Sequence, residues 1–251
     1  MRGETCANEG QVDLLIFDKD GVLLDLTKTW LPVAIDITHL LSKLTNGKVP
    51  APIFQNAIGI DEVSQSVDPN GLFAAGSSLD QQVACAAIAP ELSAHFPTQS
   101  YRDAITAIVA KNALRPPMPH GDIKTALQTL HDAGYPMAIL TNDSEQSARS
   151  SLERLDIAHF FGMVVGYDTG YGGKPDPTGF HAICQHFGKD AAHTIMIGDT
   201  GADKGVADAA GAGRFIGISA NYPDPTDALQ GTDHLLPNIE TLPALLASLK
   251  S

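Results

Sequence analysis

The chain has 251 residues, of which 43% are hydrophobic and 18% are charged, and its formal net charge at pH 7 is −13. The length suits one large domain, or a core with a sizeable insertion. The acidic balance disfavours binding to nucleic acid backbones and to anionic membranes, and no apolar run reaches the ~18 residues of a membrane span. The three cysteines form no CxxC pair, which indicates reduced thiols in a cytoplasm and not a disulfide framework or a zinc site.

The first half of the chain contains one strand and then a long helical stretch. Polar residues 1–10 predict a loose tail, and an apolar run from Val12 to Phe17 predicts a strand. Apolar residues at helical spacing follow, and the predicted helices cover residues 29–44, 51–65, 78–95 and 99–113. A loop with Pro and Gly, residues 68–78, separates the second helix from the third. Residues 26–116 are therefore predicted to form an all-helical domain inserted into the core.

Strands and helices alternate in the second half. The predicted helices cover residues 121–133, 144–155, 178–187, 204–210 and 241–249. The predicted strands cover residues 137–140, 163–165, 194–197, 215–218 and 234–236. This alternation indicates parallel βαβ units, so residues 11–25 and 117–251 are predicted to form an α/β, Rossmann-like core around a parallel sheet.

Polar side chains follow four of these strands, at the edge where ligands bind in such sheets. They are Asp18 and Asp20, the run from Thr141 to Ser144, Lys174, and Asp199 with Asp203. Each also has a structural interpretation: helix capping for the second group, a solvated loop for the lysine, and an acidic turn for the last pair. Convergence of all four on one edge favours a site.

The combination has a specific chemistry. Carboxylates from two strands provide the oxygen ligands that Mg²⁺ prefers. A lysine and a hydroxyl facing that metal provide positive charge and a hydrogen bond for a phosphoryl group. An aspartate can attack phosphorus and form a covalent intermediate. A second carboxyl group can donate a proton to the leaving group and later take one from water.

In order along the chain, these groups form four motifs. They are DxDG[TV]L at residues 18–23, a Thr at a strand end at residue 141, the lysine of GGKPDP at residue 174, and GDxxxD at residues 198–203. The motifs resemble those of the haloacid dehalogenase-like hydrolase superfamily. The long insertion between the first two motifs resembles the helical C1 cap of the phosphoglycolate phosphatase-like branch.

The resemblance implies a role for each residue. The implied catalytic residues are Asp18 as nucleophile, Asp20 as general acid and base, Thr141 and Lys174. The implied substrate-binding residues are Gly21, Thr141, Asn142 and Lys174. The implied Mg²⁺ ligands are Asp18, Asp20 through its backbone carbonyl, and Asp199, with Asp203 acting through a metal-bound water or Lys174.

By this resemblance, the expected function is Mg²⁺-dependent hydrolysis of a small phosphorylated metabolite, by a monomer or homodimer that binds neither nucleic acid nor membrane. Asp20 argues against a carbon–halogen hydrolase, because a departing halide needs no proton. Two alternatives stay open, a phosphomutase or phosphotransferase of the same superfamily and a catalytically silent binding protein. The substrate also stays open among phosphoglycolate, sugar phosphates and nucleotides.

Four further expectations concern residues around the motifs. Lys19 is expected to point away from its two acidic neighbours, if strand alternation persists, and to be structural. Trp30 is expected to pack within the inserted domain. Asp25 is a candidate hinge residue or a solvated one. The loop 68–78 is a candidate for substrate contact, with a distant surface loop as the alternative.

Overall fold

The computed structural model describes residues 12–112, 116–220, 229, 232 and 234–249, so the predicted tail at residues 1–10 lies outside the described residues. The helices are α1 (Leu26–Leu44), α2 (Ala51–Ile58), α3 (Leu72–Ala75), α4 (Ser78–Ile88), α5 (Gln99–Asn112), α6 (Ile123–Asp132), α7 (Glu145–Arg154), α8 (Thr178–Phe187), α9 (Gly201–Ala210) and α10 (Leu242–Leu249). The strands are β1 (Leu14–Phe17), β2 (Ile60–Asp61), β3 (Ser66–Val67), β4 (Met137–Leu140), β5 (Met163–Val165), β6 (Thr194–Gly198), β7 (Arg214–Ile218) and β8 (His234–Leu236).

Six strands form one parallel sheet in the order β5-β4-β1-β6-β7-β8, which confirms the predicted α/β core. β1 lies between β4 and β6, and its side chains alternate between two apolar clusters. Leu15 and Phe17 belong to the cluster on one face, and Leu14 and Ile16 to the cluster on the other. Because helices cover both faces, every residue of β1 is buried and its carboxyl end is held rigidly.

Residues 26–112 have an apolar cluster of their own, which contains Leu31, Phe54, Ile58 and Leu92. We call these residues the inserted segment. Hydrogen bonds join it to the core where it begins. The backbone N–H of Asp25 donates to Met118 O at 2.8 Å, and the Asp25 carboxylate caps α1 by accepting from the backbone N–H of Lys28 at 2.8 Å. Asp25 is thus the N-cap of α1 at this junction.

Two predicted helices of the inserted segment are too long. The helix predicted over residues 51–65 ends at Ile58, because Gly59 is in the left-handed region and β2 and β3 then form a short antiparallel hairpin. The inserted segment is therefore not wholly helical. The helix predicted over residues 78–95 ends at Ile88, where Pro90 starts a 3-10 turn that continues to Ala94. The ring of a proline disfavours the helical conformation of the residue before it.

The loop predicted over residues 68–78 contains the short helix α3. It ends at Ser77, which caps α4 in a capping box with Asp80. None of the helices in the described part of the chain combines the length and the apolar character needed to cross a bilayer.

Candidate active site

Asp18 follows the last residue of β1, and the chain then turns sharply. Gly21 has a φ of +86°, and a Cβ added there would lie 1.8 Å from Oδ2 of Asp199. Only glycine provides both that backbone conformation and that close approach. The turn therefore brings the backbone after β1 against the acid that follows β6.

Lys174 joins two of the carboxylates. Its Nζ lies 2.8 Å from Oδ1 of Asp18 and 2.5 Å from Oδ1 of Asp203, and all three side chains are buried. The other oxygen of Asp203 accepts from the backbone N–H groups of Asp199 and Thr200 and from the Thr200 hydroxyl, at 2.7–3.1 Å. Asp203 therefore orients Lys174 and the chain after β6.

Burial is the largest influence on the pKa values of Asp18 and Lys174. It raises the pKa of Asp18 to about 7, and Asp203 adds to that rise while Lys174 opposes it. For Lys174, burial alone would lower the pKa, but Asp18 and Asp203 outweigh burial and raise it. The lysine therefore stays protonated, and Asp18 depends on nearby positive charge to remain ionised.

The carboxylates Asp18, Asp199 and Asp203 form a buried acidic group whose potential ligand oxygens all lie within 4.8 Å of one another. Three carboxylates beside the single ammonium of Lys174 leave a formal excess of two negative charges. Burying such an excess is costly unless a cation compensates it. The charge excess and the oxygen donors together fit a hard divalent cation.

The strand end after β4 supplies Thr141 and Asn142. Thr141 is buried, and its Oγ1 accepts from the backbone N–H of Asp143 at 3.1 Å. The Asn142 side chain accepts from the backbone N–H of Lys174 at 2.7 Å and donates to Lys174 O and Ala75 O, at 3.0 and 2.9 Å. Asn142 thereby positions the lysine and links the core to the inserted segment.

Lys19 lies inside the site, so the expectation that it points away from the acids is wrong. Its buried Nζ donates to Oδ2 of Asp20 at 2.5 Å and lies 3.2 Å from Oδ2 of Asp143. Strand alternation cannot orient Lys19, because β1 ends at Phe17 and the chain has already entered the turn. Burial alone would lower the pKa of Lys19, but Asp20 and Asp143 raise it.

Trp30 belongs to the inserted segment but contacts Asp20 and Lys19 of the core. Its Nε1–H donates to Oδ1 of Asp20 at 2.8 Å, and the Lys19 ammonium lies 5.3 Å from the centre of its ring. The sequence interpretation missed Trp30 as a site residue, and it placed Asp143 within the run from Thr141 to Ser144 without a role of its own. The sequence signal for Asp143 was the lysine between two acids, because a buried lysine needs further counter-ions.

A cavity of about 730 Å³ lies between these strand ends and the inserted segment. The predicted residues Asp18, Asp20, Thr141, Asn142 and Lys174 line it. So do residues 73–76 and 78 of the candidate loop, whereas Asp199, Asp203 and Gly21 lie beside its floor and not among its lining residues.

A model of the haloacid dehalogenase-like hydrolases matches residues 12–211, which include all four motifs. The chain belongs to this family. It is 30% identical over 211 residues to a phosphoglycolate phosphatase of Vibrio cholerae, an alignment that covers 84% of this chain and 86% of that protein.

Solved structures of the family have the same fold. The crystal structure of a predicted phosphoglycolate phosphatase from Haemophilus somnus has a TM-score of 0.69 at 20% identity and covers 94% of this chain and 98% of its own. A haloacid dehalogenase-like phosphatase from Thermococcus onnurineus has a TM-score of 0.65 at 18% identity, with the same coverage of both chains. At these identities the likeness concerns the fold alone.

Proposed function

We propose that the chain is a Mg²⁺-dependent phosphatase that hydrolyses a small phosphoric monoester through a phosphorylated Asp18. The observation that carries the proposal is the position of Lys174, which contacts Asp18 and Asp203 beneath a cavity large enough for a metabolite. Family membership and the phosphoglycolate phosphatase relatives support the reaction class.

The first half-reaction transfers the phosphoryl group to the enzyme. The Asp18 carboxylate attacks phosphorus, the bond from phosphorus to the leaving oxygen breaks, and Asp20 donates its proton to that oxygen. Thr141 and the backbone that follows it hold the phosphoryl oxygens, together with the Lys174 ammonium. The attack requires an ionised Asp18, and Lys174 stabilises that form.

The second half-reaction restores the enzyme. Asp20, now a carboxylate, takes a proton from water as the water oxygen attacks phosphorus. The bond between phosphorus and Asp18 breaks, phosphate leaves, and both aspartates return to their starting states.

The acidic group has the oxygen donors and the charge for one Mg²⁺, with Asp18, Asp199 and the backbone carbonyl of Asp20 as proposed ligands. When bound, the ion stabilises the charge on the phosphoryl oxygens by several kcal/mol. Asp203 acts on this site indirectly, because its oxygens accept from Lys174 and from the backbone after β6.

The inserted segment is proposed to act as a cap. Its side chains form the wall of the cavity opposite the strand ends, and its chain crosses to the core near residues 25 and 117. A cap in this position excludes water during attack by Asp18 and admits it afterwards.

The proposal is tested by phosphate release from a panel of phosphorylated metabolites, with Mg²⁺ and with excess chelator. We expect turnover with Mg²⁺ and its loss in chelator. Asp199→Ala should weaken the Mg²⁺ affinity measured by calorimetry. Full activity in chelator, or an unchanged affinity in Asp199→Ala, contradicts the assigned metal site. Transfer of phosphate to a second substrate hydroxyl, without release, would identify a phosphomutase instead.

A further inference from the structure

The cavity has three unlike parts, of which one is a polar side formed by α7 with Ser147, Ser150 and Ser151. Its floor carries charged side chains, among them Asp18, Asp20, Asp143 and Lys174. The opposite wall comes from the inserted segment and is mainly apolar, with Trp30, Val33, Ile37, Phe73, Ile105 and Val109. Among the described lining residues, those of the inserted segment include no acidic or basic side chain.

This wall is a poor environment for a charged leaving group. A carboxylate buried against apolar side chains is strongly penalised unless a cation pairs with it. The two buried lysines near the reaction centre are already engaged, because Lys19 contacts Asp20 and Asp143 while Lys174 contacts Asp18 and Asp203.

Arg154 is the remaining basic residue among the described lining residues, and it lies at the end of α7 away from the strand end after β4. It ends α7, ten residues after Ser144, the N-cap of that helix. At the rise of an α-helix this separation is about 15 Å along the axis. The two-carbon acid of phosphoglycolate is much shorter than this separation.

The size of the cavity agrees with the chemistry of its wall. A volume of about 730 Å³ lies within the range that holds drug-sized ligands with mainly apolar contacts. A two-carbon acid leaves most of that space to water and contacts little of the apolar wall.

We propose that the leaving group of the substrate is uncharged, largely apolar and larger than a two-carbon acid. The inference rests on the proposed phosphatase function and specifies its substrate class. The inserted segment selects this group by apolar contact, and the same contacts disfavour phosphoglycolate in spite of the resemblance to phosphoglycolate phosphatases.

The first test compares four substrates that differ in one property at a time. Ethyl phosphate and phosphoglycolate differ in the carboxylate, ethyl phosphate and 2-phenylethyl phosphate in apolar size, and glucose 6-phosphate is large but polar. We expect kcat/KM at least about tenfold higher for 2-phenylethyl phosphate than for ethyl phosphate, since each buried methylene is worth about fourfold. Phosphoglycolate should be the poorest. A kcat/KM for phosphoglycolate or glucose 6-phosphate equal to or above that for 2-phenylethyl phosphate overturns the inference.

The second test introduces a cation into the wall. Phe73→Arg should raise the ratio of kcat/KM for phosphoglycolate to that for ethyl phosphate by about tenfold, and lower kcat/KM for 2-phenylethyl phosphate. Val83→Arg is the matched control, because Val83 lies on the surface of the same segment, 63% exposed and outside the cavity lining. Ile105→Lys repeats the test from α5 in case Phe73→Arg does not fold. Unchanged ratios in folded Phe73→Arg and Ile105→Lys overturn the inference.

The tests separate this inference from the function on which it rests. If neither the four substrates nor the panel of phosphorylated metabolites releases phosphate, the phosphatase proposal itself is contradicted. If phosphoglycolate is the best of them, the phosphatase proposal stands and the assignment of the leaving group is wrong.

Discussion

Across the cavity the two regions of the molecule present opposite chemistry. The core ends β1 and β6 in carboxylates that surround Lys174, whereas the inserted segment presents apolar side chains of α1, α3 and α5. Each region is stabilised by its own apolar cluster, so each can change without rebuilding the other. This division suggests that the core performs the chemistry and the inserted segment selects the leaving group.

Among the described residues, two of the side-chain hydrogen bonds between the regions lie beside the proposed catalytic residues. Trp30 of the inserted segment donates to Asp20, and Asn142 of the core donates to Ala75 O. Changes in the core should affect alike all substrates whose leaving groups have similar pKa values, and changes in the inserted segment should affect these substrates unequally. Substitution of Trp30 or Asn142, which make these hydrogen bonds, should lower the activity on all substrates but to different extents.

The largest effect is expected for Asp18→Asn, which removes the proposed nucleophile. Turnover of every substrate should fall to background, while circular dichroism remains that of the original protein. Asp208→Asn is the matched control, because Asp208 is an exposed acid on α9 that pairs with Lys204. Trapping of a phosphorylated aspartate at another position would show that the nucleophile is assigned wrongly.

Asp20→Asn should reduce turnover by roughly 10²–10⁴, the scale of general acid–base catalysis. The loss should be smaller for p-nitrophenyl phosphate, because its leaving group departs without protonation. Steady-state rates with an alkyl phosphate and with p-nitrophenyl phosphate measure this difference. Equal losses for both substrates would count against a proton-donor role.

Trp30→Phe should reduce kcat for alkyl phosphates by about tenfold, because the indole N–H no longer orients the Asp20 carboxyl group that transfers the proton. The ring remains, so apolar contact with the substrate is largely retained and KM should change little. p-Nitrophenyl phosphate should be affected less, as for Asp20→Asn. Tyr101→Phe, which removes a hydroxyl elsewhere in the inserted segment, serves as control. A change confined to KM would mean that Trp30 contacts substrate without orienting Asp20.

The smallest effect is expected when residues 72–76 are replaced by a Gly/Ser linker. Gly71 is kept because a Cβ there would lie 2.9 Å from Cα of Gly59, and Ser77 is kept because it caps α4. We expect a several-fold loss of kcat/KM for the best apolar substrate and a smaller loss for ethyl phosphate. Val63→Gly changes a loop residue that is 96% exposed and outside the cavity lining, and should change neither value. Equal losses for the two substrates would remove this loop from leaving-group selection.

The alternation of strands and helices in the sequence, and the spacing of the motifs, were enough to predict the fold of the core and the position of its site. Apolar runs that alternate with helices predicted the parallel sheet, and the acids, threonine and lysine after successive strands were predicted to meet because parallel strands end at one edge. The expected positions of Asp18, Thr141 and Lys174 required no knowledge of the inserted segment. The structure brings all three to one cavity.

Tertiary structure alone decided the contacts between distant segments. Lys19 points toward Asp20 and Asp143 because a turn replaces the strand after Phe17, and Trp30 reaches Asp20 because α1 packs over that turn. The sequence pattern after Gly59 is still that of a helix, but the structure has the β2–β3 hairpin there. Hydrogen bonds between these two strands replace the hydrogen bonds of a helix. Sequence periodicity specifies which face of a helix is apolar, but the apolar wall of the cavity depends on how α1, α3 and α5 pack together.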